Sequence, residues 1–312
     1  RYLADMILSY SDQNGRISAG NILKAGAVCL EEMSLIPQEG WALHCYMHVR
    51  GTIFPHLELP DDSEEFRTGR ITALTLLRAV FTYERKACRF DPTLDMTLLS
   101  DSEAQSEGCA SEYIRMHRLV RINFIYEFMR LGTEVTPFNT LGHISGVHYV
   151  ATYMARQLRD AGIPVDVALA SAAAASHDIG KYGCRKSEER RVPYLHYYYT
   201  DYCMTENGMP EIAHIAANHS TWDLEFENLS AESLLLIYAD FRVKSTREDG
   251  KEIIHFYTLE QAFDVILSKL DNVDDAKKHR YEKVYARLKD FEDYMIELGA
   301  VTDLPSDFAL ED

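Results

Sequence analysis

The sequence has no apolar run of the roughly 18 residues that a membrane-spanning helix needs. Proline and glycine are also scarce, with 9 and 16 residues in a chain of 312. Long stretches instead keep apolar residues three and four positions apart, which is typical of helices with one buried face. No secretory signal stands at the beginning, although the chain starts at Arg1, as a fragment of a longer protein also would. These features predict a soluble, mostly helical protein.

Cysteine pairs with the spacing of metal or redox motifs are absent as well. The six cysteines lie at positions 29, 45, 88, 109, 184 and 203, and none of them forms a Cys-x-x-Cys pair. In a chain of this size without a signal peptide, reduced core thiols are expected rather than a disulfide framework. We therefore predict a cytoplasmic protein.

Positive charge is in short supply. The chain has 32 Lys and Arg against 49 Asp and Glu, which gives a formal net charge of −17. Such a chain repels phosphate backbones, so the sequence predicts neither long nucleic acid nor a membrane as a partner. A small phosphorylated ligand stays compatible with this charge, because bound metal ions can reverse the local field.

The strongest local pattern is the string His-Asp-Ile-Gly-Lys at residues 177–181. Adjacent His177 and Asp178 cannot share one face in the middle of a helix, but both can reach one cation at a helix end. We predict that the backbone turns at Gly180. The preceding residues 168–175 are mostly small and would let a neighbouring helix approach closely. This string therefore predicts a metal site.

Other histidines and an aspartate have positions that suit the same site. They are His148, His196, His219 and Asp240. Asp240 is informative because residues 234–241 are otherwise apolar, and burial of a lone carboxylate is costly unless a cation compensates it. Imidazole and carboxylate ligands together suit zinc, manganese or iron better than calcium.

The order His148, His177-Asp178, Asp240 resembles the HD superfamily of metal-dependent phosphohydrolases, over about residues 140 to 245. The resemblance implies divalent transition metals, expected to be two ions of manganese or iron, with zinc, nickel or magnesium as alternatives. It further implies that Asp178 bridges the ions and that His148, His177 and Asp240 hold one of them. A hydroxide between the metals would attack phosphorus, and Lys181 would hold a phosphoryl oxygen.

His196 and His219 resemble the additional histidines of the two-metal branch, in which they would hold the second ion. That branch includes the HD-GYP cyclic-dinucleotide phosphodiesterases. The present sequence lacks the Gly-Tyr-Pro string, and Asn218-His219-Ser220 stands where that branch often has a histidine pair.

The neighbouring histidines are interpreted as bystanders. His143 and His214 precede His148 and His219 by five residues, so each lies on a different helical face, and His143 is the better substitute ligand. His44 and His48 lack a further ligand nearby and are assigned to packing. The tyrosine-rich residues 194–199 offer faces for stacking a base, but packing in the core is the favoured interpretation.

The predicted architecture is all-α. An HD-domain helical bundle covers residues 136–300, after a separate, mainly helical N-terminal region at 1–135 of unknown role and before an acidic C-terminal tail at 301–312. Within it we predict helices at 141–160, 166–176 and 275–298, a small hairpin between Arg242 and Phe256, and one helix from Ile114 past Phe128.

The predicted function is hydrolysis of a phosphomonoester or phosphodiester in a small, nucleotide-like substrate. Two alternatives remain open at this point. One is a non-catalytic HD domain that senses a ligand or acts as a scaffold, and the other is a di-iron HD-fold oxygenase. A homodimer is compatible with the sequence.

Overall fold

The computed structural model describes residues 1–35, 40–59, 64–87, 96, 98–131, 141–221, 224, 228–249, 251–269, 274–304 and 308–310. This part of the chain is mostly helical, which confirms the predicted all-α class. None of its helices combines the length and the apolar character that a bilayer-spanning segment needs.

The helices follow one another along the chain with short connections. They are α1 (Tyr2–Leu8), α2 (Ala19–Glu32), α3 (Trp41–Ile53), α4 (Glu64–Ala87), α5 (Asp101–Ala104), α6 (Ala110–Asn123), α7 (Ile125–Leu131), α8 (Leu141–Asp160), α9 (Val167–Ser176), α10 (Gly180–Gly183), the 3₁₀ helix η1 (Lys186–Arg191), α11 (Val192–Glu206), α12 (Pro210–Ala217), α13 (Ala231–Arg242), α14 (Leu259–Lys269) and α15 (Asp275–Glu297). A small antiparallel sheet has the strand order β1-β2-β3. Its strands are β1 (Val243–Glu248), β2 (Lys251–Phe256) and β3 (Phe308–Leu310).

Several helices begin at the side-chain caps that the sequence indicates. The side chains of Asp166 and Ser230 accept hydrogen bonds from the backbone N–H groups of α9 and α13. Thr258 and Gln261 form a reciprocal capping box at the start of α14. Each cap satisfies an N–H group that the helix itself leaves unpaired, which contributes about 1 kcal/mol.

The predicted continuous helix across Phe124 is wrong. Phe124 has a φ of 52°, in the left-handed region, and it separates α6 from α7. A non-glycine residue there costs about 1–2 kcal/mol. Aromatic packing offsets this cost, because the Phe81 ring lies 5.9 Å from Phe124 and 5.5 Å from Phe128. The apolar spacing is the same on both sides of the break, so periodicity alone could not reveal it. Gly132, the expected helix end, lies outside the described residues.

Buried apolar residues from both halves of the chain form one hydrophobic core. In its centre lies α9, which packs against α6, α8, α12 and α13. The alanines at 172–175 are fully buried and leave room for these neighbours. The predicted domain boundary near residue 135 lies in the segment 132–140, outside the described residues.

The cysteines of the described residues are free, buried thiols, in agreement with the predicted core thiols. They are Cys29, Cys45, Cys109, Cys184 and Cys203.

The predicted hairpin is present and packs on α8. Strands β1 and β2 pair in an antiparallel register, and Asp249 in the turn has a φ of 50°, as two-residue hairpin turns require. The hairpin approaches α8 closely because a Cβ at Gly146 would lie only 2.7 Å from Val243 and 2.8 Å from Ile254. Gly250, the other predicted turn residue, lies outside the described residues.

Gly180 has a different purpose from the predicted backbone turn. It opens α10 and is absent from the positive-φ glycines of the described chain. A Cβ here would lie 1.9 Å from the carbonyl oxygen of His196 and 2.5 Å from the backbone nitrogen of Thr200. Only glycine therefore lets α10 rest directly on α11. The Thr200 hydroxyl completes the contact, since it accepts from Gly180 N and donates to His177 O, both at 3.0 Å.

We expect Gly180→Ala to lower the free energy of unfolding by at least about 2 kcal/mol, because the new methyl group meets backbone atoms that cannot rotate away. Gly69→Ala in α4 is the matched control, since a Cβ there meets nothing within 4 Å. It should leave stability unchanged or raise it by up to about 1 kcal/mol. Urea denaturation of both variants measures the difference. Equal effects of the two substitutions would contradict this account of Gly180.

Candidate metal centre

The site is centred on Asp178, which follows the end of α9. His177 and Asp178 are 0% and 1% exposed. The structure also brings the side chains of His196 and His219 to this carboxylate, at 3.7 and 3.9 Å from Oδ1. His177 Nε2 lies 3.7 Å from Oδ2. Three imidazoles from separate parts of the chain therefore converge on one buried carboxylate.

Asp240 joins the site from α13 through His143. His143 Nε2 lies 2.8 Å from Asp240 Oδ1 and 3.9 Å from Asp178 Oδ2. The ring of His143 also contacts the ring of His177 edge-on, with centroids 5.4 Å apart. His143, which the sequence analysis treated as a bystander, is thus in direct contact with both carboxylates.

The structure does not bring His148 to the carboxylates. Its side chain is buried in the core, where Nε2 lies 2.8 Å from the hydroxyl of Ser171 on α9. Five residues along a helix correspond to a rotation of about 140°, so His143 and His148 point in different directions from α8. The sequence shows two histidines on this helix, but their spacing from His177 does not reveal which of them faces the site.

Hydrogen bonds fix the orientation of three of the imidazoles. In His177, His196 and His219, Nδ1 lies next to a backbone carbonyl, which can only accept a hydrogen bond. The carbonyls belong to Ala174, Val192 and Ala216, at 2.7, 2.7 and 2.6 Å. Each Nδ1 therefore carries the proton, and each Nε2 presents a lone pair toward Asp178. The lone pairs of His196 and His219 face each other at 3.4 Å, with no proton to share.

Burial sets the protonation states that metal ligands require. It lowers the pKa of His196 and of His219 to about 4, and it lowers the pKa of His177. For Asp178, burial raises the pKa, but Lys181 and the surrounding histidines outweigh this and hold it below its usual range. The pKa of Asp240 is also lowered, because the hydrogen bond from His143 outweighs burial. At neutral pH the imidazoles are neutral and the carboxylates are charged.

These residues fit a divalent metal. Two sets of potential ligands, His143 with His177 and Asp240, and His177 with Asp178 and His219, each have ligand atoms within 4.8 Å of one another. His177 Nε2 is buried without a hydrogen-bond partner, which is costly unless a cation accepts its lone pair. Nitrogen and oxygen ligands of this kind suit manganese, iron or zinc.

Comparison with known families agrees with this geometry. Residues 140–255 match the family model of the HD domain. This segment is an HD domain. The match runs from α8 to β2 and includes every residue of the site described above. HD domains bind divalent metals, and they are typical of metal-dependent phosphohydrolases. No curated protein and no solved structure matches the chain.

Two lysines stand beside the carboxylates of the HD domain. Lys181 Nζ lies 2.5 Å from Asp178 Oδ2. Lys244, at the start of β1, donates to the backbone carbonyl of Asp240 at 2.6 Å and interacts electrostatically with both carboxylates. Burial lowers the pKa of Lys244. The sequence analysis missed this residue, although its position four residues after Asp240 at a helix end was a usable signal.

The tyrosine-rich segment divides into two groups. Tyr199 is buried, whereas Tyr194 and Tyr198 are exposed, so the favoured core packing describes only part of the run. Tyr197 lies at the metal centre, where its ring centroid is 3.9 Å from that of His196 and 4.8 Å from that of His219. It forms an aromatic edge of the site.

We expect His143→Ala to reduce the bound manganese or iron, because it removes a nitrogen that contacts both carboxylates. His148→Ala is the matched control on the same helix. It should keep the metal but lose about 1–3 kcal/mol of stability, since Ser171 loses its buried partner. Elemental analysis after loading, together with urea denaturation, separates these effects. Metal loss with His148→Ala and retention with His143→Ala would restore the ligand set predicted from the sequence.

Proposed function

We propose that the HD domain is a metal-dependent phosphohydrolase that cleaves a phosphomonoester or phosphodiester of a small, nucleotide-like molecule. The observation that carries this proposal is the convergence of three imidazole lone pairs on Asp178, with Asp240 and His143 alongside. Such a buried set of neutral nitrogens and charged oxygens is suited to binding divalent cations.

The roles of the residues follow from their positions. His143, His177 and Asp240 would hold one cation, and Asp178 with His196 and His219 would hold a second. The chemistry that divalent cations supply in such a site is acidification of water and stabilisation of negative charge on phosphoryl oxygens. The backbone carbonyls that bind the Nδ1 protons keep the imidazoles in the tautomer that ligation needs. Manganese and iron are the preferred candidates, as in the prediction from the sequence.

The two lysines support a phosphorylated substrate. Cations bound by the carboxylates would offset the charges of Asp178 and Asp240, which leaves the charges of Lys181 and Lys244 available to an anion. A site with this local excess of positive charge can bind phosphate even in a chain with a net charge of −17. The same net charge argues for a small substrate rather than long nucleic acid.

The nucleotide part of the proposal is supported by Tyr197. Its half-buried ring at the edge of the metal centre offers a flat surface on which a base can stack. The cyclic-dinucleotide branch of the superfamily remains one candidate source of such a substrate. Cytoplasmic localisation and a homodimer belong to the proposal as well.

A screen of phosphate esters tests this function. We expect protein loaded with manganese or iron to release phosphate or cleave diesters, and Asp178→Asn to lower turnover at least about 100-fold because it removes a charge at the ligand centre. His148→Asn is a matched control at a buried histidine outside the site. Oxygen consumption without phosphate release would select the oxygenase instead. Retained metal without turnover on any mono- or diester would select the binding module.

We expect Lys244→Gln to raise KM about tenfold for the ester that the protein cleaves, since a charge-assisted hydrogen bond contributes roughly 1.5–3 kcal/mol. Its metal content should be unchanged, because Lys244 provides no ligand atom to the cations. Lys289→Gln on α15, where Lys289 pairs with Asp293, is the control. Steady-state kinetics at several salt concentrations measures the change. An unaltered KM would remove Lys244 from the proposed phosphate site.

A further inference from the structure

The single-turn helix α10 carries Lys181 and immediately follows the His-Asp pair. A helix of one turn cannot satisfy its own carbonyl groups, because the last four carbonyls of any helix lack partners within it. The N–H of Cys184 reaches back to Lys181 O at 3.4 Å, but the next carbonyls along the chain need donors from elsewhere. The position of Lys181 therefore depends on what pairs with the end of α10.

These donors come from the N-terminal region. The Arg50 side chain donates through Nε to the carbonyl of Tyr182 and through Nη2 to that of Cys184. His56 Nε2 donates to the intervening carbonyl of Gly183 at 2.8 Å. Three consecutive carbonyls are thus paired by residues that precede them by 127 to 134 positions. Carbonyls only accept hydrogen bonds, so each contact has one possible direction.

His56 is itself held in place by the segment after α10. Its ring stacks on Tyr199 at 4.4 Å with an interplanar angle of 3°, and the Tyr202 ring meets it edge-on at 5.7 Å. Arg185 donates back to the carbonyl of His56 at 2.9 Å. Tyr199 in turn donates to the carboxylate of Glu188 at 2.9 Å. The contact is reciprocal, which fixes the donor of His56 against Gly183.

The opposite side of α10 has no freedom to move either. Gly180 lies directly on the backbone of α11, and its N–H is bound by Thr200. The turn is therefore held between α11 on one side and Arg50 with His56 on the other. From this position the Lys181 ammonium reaches Asp178 Oδ2 at 2.5 Å.

We propose that Arg50 and His56 are positioning residues of the HD site that act through Lys181. The N-terminal region then has a stated role, which is to complete the hydrogen bonds of the turn that presents Lys181 to the phosphate. This inference rests on the proposed function, because Lys181 contributes to turnover only if the substrate is an anion. A contact that merely attached the N-terminal region to the HD domain would act on stability and not through Lys181.

A double-mutant cycle between Arg50→Gln and Lys181→Gln separates the two roles. With the ester that the wild type cleaves in the presence of Mn²⁺, Arg50→Gln should lower kcat about tenfold in the wild-type background. In the Lys181→Gln background the same substitution should change kcat less than about twofold, since the group on which it acts is gone. Arg115→Gln is the matched control, because Arg115 also donates to a carbonyl, that of Gly208 at 2.7 Å. It should alter neither background.

Binding of inorganic phosphate to the Mn²⁺-loaded protein gives a readout that needs no turnover. Calorimetry should show about tenfold weaker binding with Arg50→Gln, no further weakening in the double variant and unchanged metal content. If Arg50→Gln does not fold, His56→Phe takes its place, because phenylalanine keeps the stacking on Tyr199 and removes the donor. Equal losses in both backgrounds, or no loss in either, would overturn the inference.

The failure of the proposed function has a different signature. A wild type that binds phosphate but cleaves no ester would overturn the hydrolase, and the calorimetric cycle would then decide the role of Arg50 alone. A wild type that neither binds phosphate nor cleaves esters would overturn both.

Discussion

The buried carboxylate of Asp178 is the constraint on which the rest of the site depends. An ion in this position costs several kcal/mol in desolvation unless opposite charges and hydrogen-bond donors surround it. Without a cation, Lys181 provides the only close positive charge among the described residues, while three imidazoles turn lone pairs toward the carboxylate. Lone pairs facing a negative charge are unfavourable on their own. The arrangement becomes favourable when a divalent cation lies between them, so the protein is organised around a charge that its own residues do not supply.

The residues that make this convergence possible are the small ones. The alanines of α9 let α8, α12 and α13 approach the helix that ends in His177. Gly180 lets α11 bring His196 to within 3.7 Å of Asp178, and Gly146 lets the hairpin rest on the helix of His143. Interiors pack at crystal-like density, so an added methyl group at such a position moves a whole helix rather than a side chain. The geometry of the ligands is thus encoded in residues that carry no chemistry.

The sequence predicted the chemistry of the site better than its geometry. The string at 177–181 and the lone carboxylate of Asp240 in an apolar stretch were sufficient to locate the centre, because both features are local. The choice between His143 and His148 was not available, since it depends on how α8 is rotated against α9. The break at Phe124 was hidden for a related reason: buried aromatic contacts there override a regular apolar spacing. Arg50 and His56 gave no signal, because their partners lie more than a hundred residues away.

The net charge of the chain and the charge of the site act at different distances. At physiological ionic strength the field of surface carboxylates decays within about 8 Å, so a chain with an excess of acidic residues still presents a locally positive site. A long polyanion would have to approach the whole surface and would be repelled, whereas a single phosphate has to enter only the vicinity of Lys181 and Lys244. The acidic surface therefore selects for small substrates without contacting them. The hydrogen bonds from Arg50 and His56 contribute to the same selection, because a lysine on a fixed turn can discriminate the position of a phosphoryl oxygen and a mobile one cannot.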